Sequence, residues 1–293
     1  MVKLEVLGFN SLEEYIKYFF RTLLPSNRTY SYFVDWEKVK NKLEQLKYQI
    51  SILNYLTQVK REDRRRELKQ IITKYPEVVE AIPYLIAVRE KDIEILEIVN
   101  NQVTFKKIIF DKEKIDNNKI EEIINFCEKT GLLDAFDNIK DLFTYLFGVE
   151  VGIDSNARKN RSGKIFQEMV ALALDRKIKQ LNLDLEIVEE DPSIKIRRNK
   201  KADFVIYHKN QPKIVIEVNF YGIGGSKPTE TAGSYLDLNK RLKEKGLTFI
   251  WVTDGPAWKT MKQTLKQPFQ ELDYLINYNI LNQKLGLIIK NET

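Results

Sequence analysis

The sequence predicts an α/β protein of the mixed, α+β kind, with a helical N-terminal domain (residues 1–148) ahead of a mixed-sheet core (149–293). Three observations predict it. Apolar residues recur at steps of three and four through the first half. After about Val149, strand-like apolar pieces alternate with helical ones. Positive charge also concentrates in the second half.

The elements follow in order. Over 38–56, Val39, Leu43, Leu46, Ile50, Leu53 and Leu56 form one apolar helix face. Residues 64–75 (RRRELKQIITKY) and 120–129 (IEEIINFCEK) repeat that pattern, and Gly131 is placed to cap the second. Pro76 and Pro83 separate shorter helices, and 103–110 (VTFKKIIF) reads as a small strand pair. The run 60–69 (KREDRRRELK) reads as a solvated helix face, with contact to a polyanionic backbone as the second reading. A polar loop, 152–163 (GIDSNARKNRSG), with Ser162 as N-cap, then leads into an apolar helix over 164–181. Strands are expected over 185–188, 203–207, 213–221 and 247–252, with a helix between Gly233 and Lys245. Trp251 and Trp258 read as packing residues.

Composition narrows the chemistry. The 293 residues carry 48 Lys and Arg against 42 Asp and Glu, a net +6, with one cysteine and one histidine. A disulfide framework within the chain is excluded, and so is a zinc site of Cys and His within one subunit. A Ser-His-Asp or Cys-His mechanism would rest on His208 alone, which reads as an exposed turn residue. Between Asp154 and Lys266 stand 22 basic against 14 acidic residues, so the excess charge lies there and points to an anionic partner. The N-terminus lacks a basic region followed by a long apolar stretch, and no run approaches a membrane span. A cytoplasmic protein without a membrane partner is expected.

The segment 201–221, KADFVIYHKNQPKIVIEVNFY, is the most informative. If its two strands pair antiparallel about Asn210, Asp203 stands opposite Glu217, with Cβ atoms about 4.5–5.5 Å apart. The period of two puts Asn219 on the same face, with Ile216 and Val218 on the other. Two such carboxylates repel unless a proton or a cation intervenes. Magnesium commonly takes one or two carboxylates with waters and phosphate oxygens, and can polarise a phosphodiester. The alternative is a hairpin with a solvated polar face.

Asp203, then Glu217-Val218-Asn219, resembles the PD-(D/E)xK nuclease pattern, with Ala202 for the proline and Asn219 for the lysine. The words around it are GVEVGIDSNARKNRSGK (148–164), IEVNFYGIGGSKPTETAGSY (216–235) and WVTDGPAW (251–258). With PYLIAVR (83–89), they resemble the DpnII/MboI-type Type II restriction endonucleases over most of the chain. The resemblance implies a restriction-endonuclease-like core that hydrolyses double-stranded DNA at GATC. It further implies Mg2+ as cofactor with Mn2+ as substitute, 5′-phosphates on 5′ overhangs, and a block by adenine methylation. A palindromic site is matched most simply by a homodimer, and such an enzyme implies a companion adenine methyltransferase.

On that basis Asp203 and Glu217 are the expected metal ligands. Glu168, on the helix 164–181, is a third acid or the solvated margin of an apolar stripe. Asn219 and Lys227 are expected beside the attacking water or the phosphate. An amide can only orient by hydrogen bonds, so Lys227 is expected to bring the missing cation. Arg158, Lys159, Asn160, Arg161 and Lys164 form the most basic polar turn, read either as DNA contacts or as a solvated helix entry. Tyr221, Ser226, Lys227 and Thr231 are the expected DNA contacts after Glu217. The Gly222–Gly225 run lacks the ending of a nucleotide P-loop, so ATP is not expected. The rival readings are a repair or junction-resolving nuclease on the same core, and a non-catalytic DNA-binding protein.

Overall fold

Asp35 opens the first long helix, Trp36–Leu53, and its carboxylate accepts the Lys38 N–H at 3.0 Å. That satisfies one of the donors left unpaired at a helix N-terminus. Val39, Leu43, Leu46, Ile50 and Leu53 are its buried side chains, the stripe expected from their spacing. The computed structural model describes residues 2–99, 102–196 and 200–293. They fall into two units: Phe33–Arg158, and Met1–Tyr32 together with Lys159–Thr293.

In the unit Phe33–Arg158, helices Trp36–Leu53, Arg64–Lys74, Asn117–Lys129 and Leu142–Asn156 share one core, with Ile72, Val79, Ile124 and Leu146 fully buried in it. Gly131 follows Asn117–Lys129 at φ +74°, a left-handed conformation that favours glycine. The strand pair is a hairpin of β1 (Asp92–Val99) and β2 (Gln102–Ile109). Its first strand escapes the sequence reading because DIEILEIV also satisfies helical spacing. The basic run 60–69 is only partly a solvated face. Arg64 is buried, donating to the carbonyls of Val59 (3.1 Å) and Leu133 (2.7 Å). Arg61, Arg65, Arg66 and Lys69 each pair with a carboxylate of the same unit.

The other unit is built on a five-stranded mixed sheet, in the order β3 (Leu185–Lys195), β4 (Lys201–His208), β5 (Gln211–Phe220), β6 (Thr248–Asp254) and β7 (Tyr274–Ile276). Strands β3, β4 and β5 pair antiparallel, while β5–β6 and β6–β7 are parallel. The helix Ser226–Lys243 makes the crossover that the parallel pair β5–β6 requires. Ile214 to Val218 of β5 are buried at every position. A run buried at every position, Glu217 included, marks a central strand covered on both faces, so the solvated-hairpin alternative fails.

The turn between β4 and β5 is tighter than one centred on Asn210. Lys209 and Asn210 take φ +52° and +62°, a two-residue turn with both central residues left-handed. A register shift next to Ile206 then restores the pairing Phe204↔Ile216. One step further in that register lie Asp203 and Glu217, neighbours as expected.

Two expectations are corrected. The polar segment 152–163 is not a loop: helices Leu142–Asn156 and Arg158–Leu181 run through it, parted at Ala157. Ser162 is therefore inside a helix rather than capping one, and its hydroxyl lies 3.0 Å from Asn27 Oδ1. Polar residues without proline resist a helix weakly, and tertiary partners override that propensity. The cut at 148/149 falls inside Leu142–Asn156, and residues 2–24 belong with the sheet. Tyr15 Oη donates to Leu275 O (2.5 Å), and Asn277 Nδ2 donates to Phe19 O (2.9 Å). Periodicity shows that a helix face is buried but not against which partner.

The last helix, Tyr278–Glu292, closes this unit with a charged knot. Burial raises the Glu292 carboxyl, but hydrogen bonds from Lys3, Tyr274, Thr248 and Asn291 outweigh it and bring it down to about 2 from 4.5. The stability it contributes is therefore complete above the unfolded value and is lost as pH falls through the folded one. Glu292→Gln is expected to be less stable than the wild type at neutral pH, with the gap narrowing towards pH ~2. Urea unfolding across that acid range checks it; a gap that stays constant with pH would remove Glu292 from the account.

Candidate active site

The site grows from the middle of β5. Alternation along the strand sends Glu217 to the face opposite Ile216 and Val218, and its side chain is wholly buried. A carboxylate at such depth needs partners for its oxygens. Oε1 accepts the Asp203 N–H at 3.1 Å, and Oε2 accepts the Tyr235 hydroxyl at 2.6 Å and the Lys200 ammonium. Asp203, at the start of β4, accepts the Val218 N–H on Oδ2 at 2.8 Å, and its Oδ1 lies 3.7 Å from Lys200 Nζ. The two acids are thus tied to each other's strands and share one cation. Burial, then the Glu217 charge, pushes the Asp203 carboxyl up to about 6.

An aromatic wall closes the buried side. Tyr235 comes from helix Ser226–Lys243 and stacks edge-on against Trp251 at 5.2 Å, and Trp251 packs on Trp258 at 5.9 Å. Both tryptophans are fully buried, as expected of packing residues. Burial, with Glu217 next to it, raises the Tyr235 phenol well above its ordinary value, so it stays a hydrogen-bond donor. Asn219 Oδ1 accepts the Trp251 indole N–H at 3.0 Å. Beyond β5, Gly255 at φ +112° lets the chain pass Tyr221, since a Cβ there would stand 2.3 Å from the Tyr221 carbonyl oxygen. This close approach accounts for the DGP of WVTDGPAW.

The other expected residues are placed as follows. Lys227 and Ser226 are exposed at the start of helix Ser226–Lys243, which begins earlier than expected, and Thr231 is half-buried on it. Tyr221 is buried edge-on against Trp258 (5.1 Å), so it walls the site and is not a surface contact for DNA. Lys159, Asn160 and Lys164 are exposed on the first turns of Arg158–Leu181. Arg158 Nε donates to Phe33 O (3.0 Å) and Arg161 Nε to Tyr32 O (2.9 Å). Glu168 is 62% exposed and lies 4.0 Å from Lys164, with no described contact to Asp203 or Glu217. His208 is half-buried, its Nδ1 2.9 Å from Thr293 O. Cys127 is buried, which pushes its thiol up to about 12 and away from nucleophilic use.

Sequence reasoning missed Lys200. In NKKAD it looks like one more solvated lysine, and it precedes β4, so only the path of the chain carries it to Glu217. It supplies the pair with the positive charge that Asn219 lacks. The sequence offers Tyr235 beside Thr231 as a contact to the scissile backbone or as part of a structural turn, and its bond to Glu217 is not legible there.

Among the described residues no group of three or more His, Cys, Asp and Glu forms a metal cage, and no helix is long and apolar enough to cross a membrane. The Asp203–Glu217 pair offers hard oxygens facing a common cation, a donor set that fits Mg2+ completed by waters and phosphate.

Comparison with known proteins places this chain in a lineage. The family model for the DpnII restriction endonuclease matches residues 15–286. The Type II restriction enzyme MjaIII of Methanocaldococcus jannaschii is 37% identical over 286 residues, covering 92% of this chain and 97% of its own length. The Type II restriction enzyme DpnII of Streptococcus pneumoniae is 34% identical (92% and 95% covered). The Type II restriction enzyme MboI of Moraxella bovis is 32% identical (90% and 92% covered). No solved structure matches. With its mixed sheet, its paired carboxylates on β4 and β5, and a match running nearly end to end, the chain belongs to the DpnII restriction endonuclease family of Type II, site-specific deoxyribonucleases.

Proposed function

We propose that the enzyme cuts both strands of duplex DNA at unmethylated GATC, with Mg2+ or its substitute Mn2+ held by Asp203 and Glu217, and leaves 5′ overhangs bearing 5′-phosphates. One observation carries the reading: Asp203 Oδ1 and Glu217 Oε2, on adjacent strands, face a single shared cation. A metal there would polarise the phosphodiester and lower the pKa of the attacking water.

The chain's own groups set the geometry. The Asp203 N–H and the Tyr235 hydroxyl fix the orientation of Glu217, and the Val218 N–H fixes that of Asp203. Asn219 has its oxygen engaged by Trp251 and so works as a donor, orienting water or phosphate through its NH2. Ser226 and Lys227 stand at a helix N-terminus, whose free N–H groups suit a phosphate, with Thr231 one turn on. Lys159, Asn160 and Lys164 contact the DNA backbone from Arg158–Leu181, where Arg158 and Arg161 are anchored on carbonyl groups. A symmetric dimer gives one site per strand of the palindrome. A companion adenine methyltransferase and a cytoplasmic setting complete the reading.

Digestion of GATC-bearing plasmid DNA, with and without adenine methylation, tests it. The expected result is discrete fragments ending at GATC from unmethylated DNA in Mg2+ or Mn2+, with none from methylated DNA or after chelation. A smear, or preference for branched DNA, would favour a repair or junction-resolving nuclease. Intact DNA at every metal concentration would favour a DNA-binding protein.

A further inference from the structure

Glu217 is wholly buried, yet one of its three partners reaches it from the surface. The Asp203 N–H belongs to the sheet, and the Tyr235 hydroxyl belongs to a residue buried under Trp251 and Phe249. Neither can leave without unfolding its element. Lys200 differs: its side chain is 44% exposed, it lies outside β4, and its ammonium meets Glu217 Oε2 with Asp203 Oδ1 at 3.7 Å. It therefore stands where a cation bridging the two carboxylates would stand. Two cations cannot share that point, because like charges within a few ångströms in a half-buried site repel strongly.

We propose that Lys200 is a resident counter-cation of the Asp203–Glu217 pair, which a divalent ion must displace in order to bind. The proposal rests on the reading of this pair as the metal site. Its physical logic has two sides. Without a metal, two buried carboxylates side by side would destabilise the fold, and the ammonium compensates them. With a metal, the same ammonium is a competitor, and the apparent affinity falls by the fraction of time that it occupies the pair. Its long, flexible stem and exposed face let it leave without disturbing β4 or β5. Lys200 is thus a positioning residue acting through Glu217.

Mn2+ binding followed by electron paramagnetic resonance tests this on the full chain without DNA, at about pH 8, where carboxylates are ionised. The expected result is that Lys200→Met binds Mn2+ roughly tenfold more tightly than the wild type, as removal of a nearly full-time competitor requires. Lys200→Arg, which keeps the charge, should stay within about twofold of the wild type. Glu217→Gln should lose the site. Equal or weaker binding by Lys200→Met, beside wild-type binding that depends on Glu217, would overturn the counter-cation alone. Wild-type chain with no Glu217-dependent Mn2+ binding would overturn the metal site itself and the counter-cation with it. Melting curves of each variant establish that a loss is not unfolding.

Discussion

Glu217→Gln is expected to reduce DNA cleavage by about 10³-fold or more, equivalent to roughly 4 kcal/mol of transition-state stabilisation. The substitution changes one atom of a fully buried side chain, so packing against Tyr235 and Trp251 is conserved. The amide oxygen can still accept one set of hydrogen bonds, but the charge that pairs with Lys200, and that would hold a divalent cation with Asp203, is gone. DNA affinity measured without metal should change little, because Glu217 presents nothing to solvent. Single-turnover cleavage of a GATC duplex, read beside a metal-free binding assay, separates the two effects. Cleavage equal to the wild type would remove Glu217 from the chemistry.

Asp254→Ala is expected to be the most damaging change to stability outside the site, by about 3–5 kcal/mol. Asp254 ends β6 and is wholly buried. Its Oδ1 accepts the N–H groups of Leu24 and Gly255, each at 2.7 Å, and its Oδ2 accepts that of Tyr278 at 3.0 Å. One carboxylate thus fastens the N-terminal segment, the turn after β6 and the last helix. Alanine leaves three donors without an acceptor, that of Gly255 buried and those of Leu24 and Tyr278 half-buried, and each unmet buried donor costs about 1–3 kcal/mol. Asp254→Asn should lose less, since its oxygen can keep two of the donors while the NH2 confronts the third. Thermal unfolding by circular dichroism orders the variants; an alanine variant melting with the wild type would show that the three N–H groups find other partners.

The helices were legible wherever a stripe of aliphatics repeated every three or four residues, as in Val39 to Leu53 and in the run from Asn117 to Lys129. Strand β7, three residues long, carries too little pattern to be read and exists because β6 offers it an edge. The segment 152–163 looks like a loop because polar residues and glycine dominate it, while helical turns on either side and Asn27 against Ser162 hold it helical. At the site, Asp203 and Glu217 could be paired from the sequence because a hairpin converts distance along the chain into cross-strand position. That the pairing survived a tighter turn depended on a register shift that no composition reveals.

By itself, the sequence determined the fold class, the scarcity of histidine and cysteine that turns the chemistry towards carboxylates, the Asp203–Glu217 pair, and a resemblance carried by words around Glu217. These are local properties: residue type, period, and spacing across one turn. Only the tertiary structure decided that β5 is central and Glu217 wholly buried, that residues 2–32 belong to the unit built on the sheet, and that Lys200 and Tyr235 converge on Glu217 Oε2. The physical reason is that burial and charge pairing are sums over neighbours brought together by packing. Lys200 and Tyr235 lie 17 and 18 residues from Glu217 on opposite sides in the chain, and no periodicity connects them.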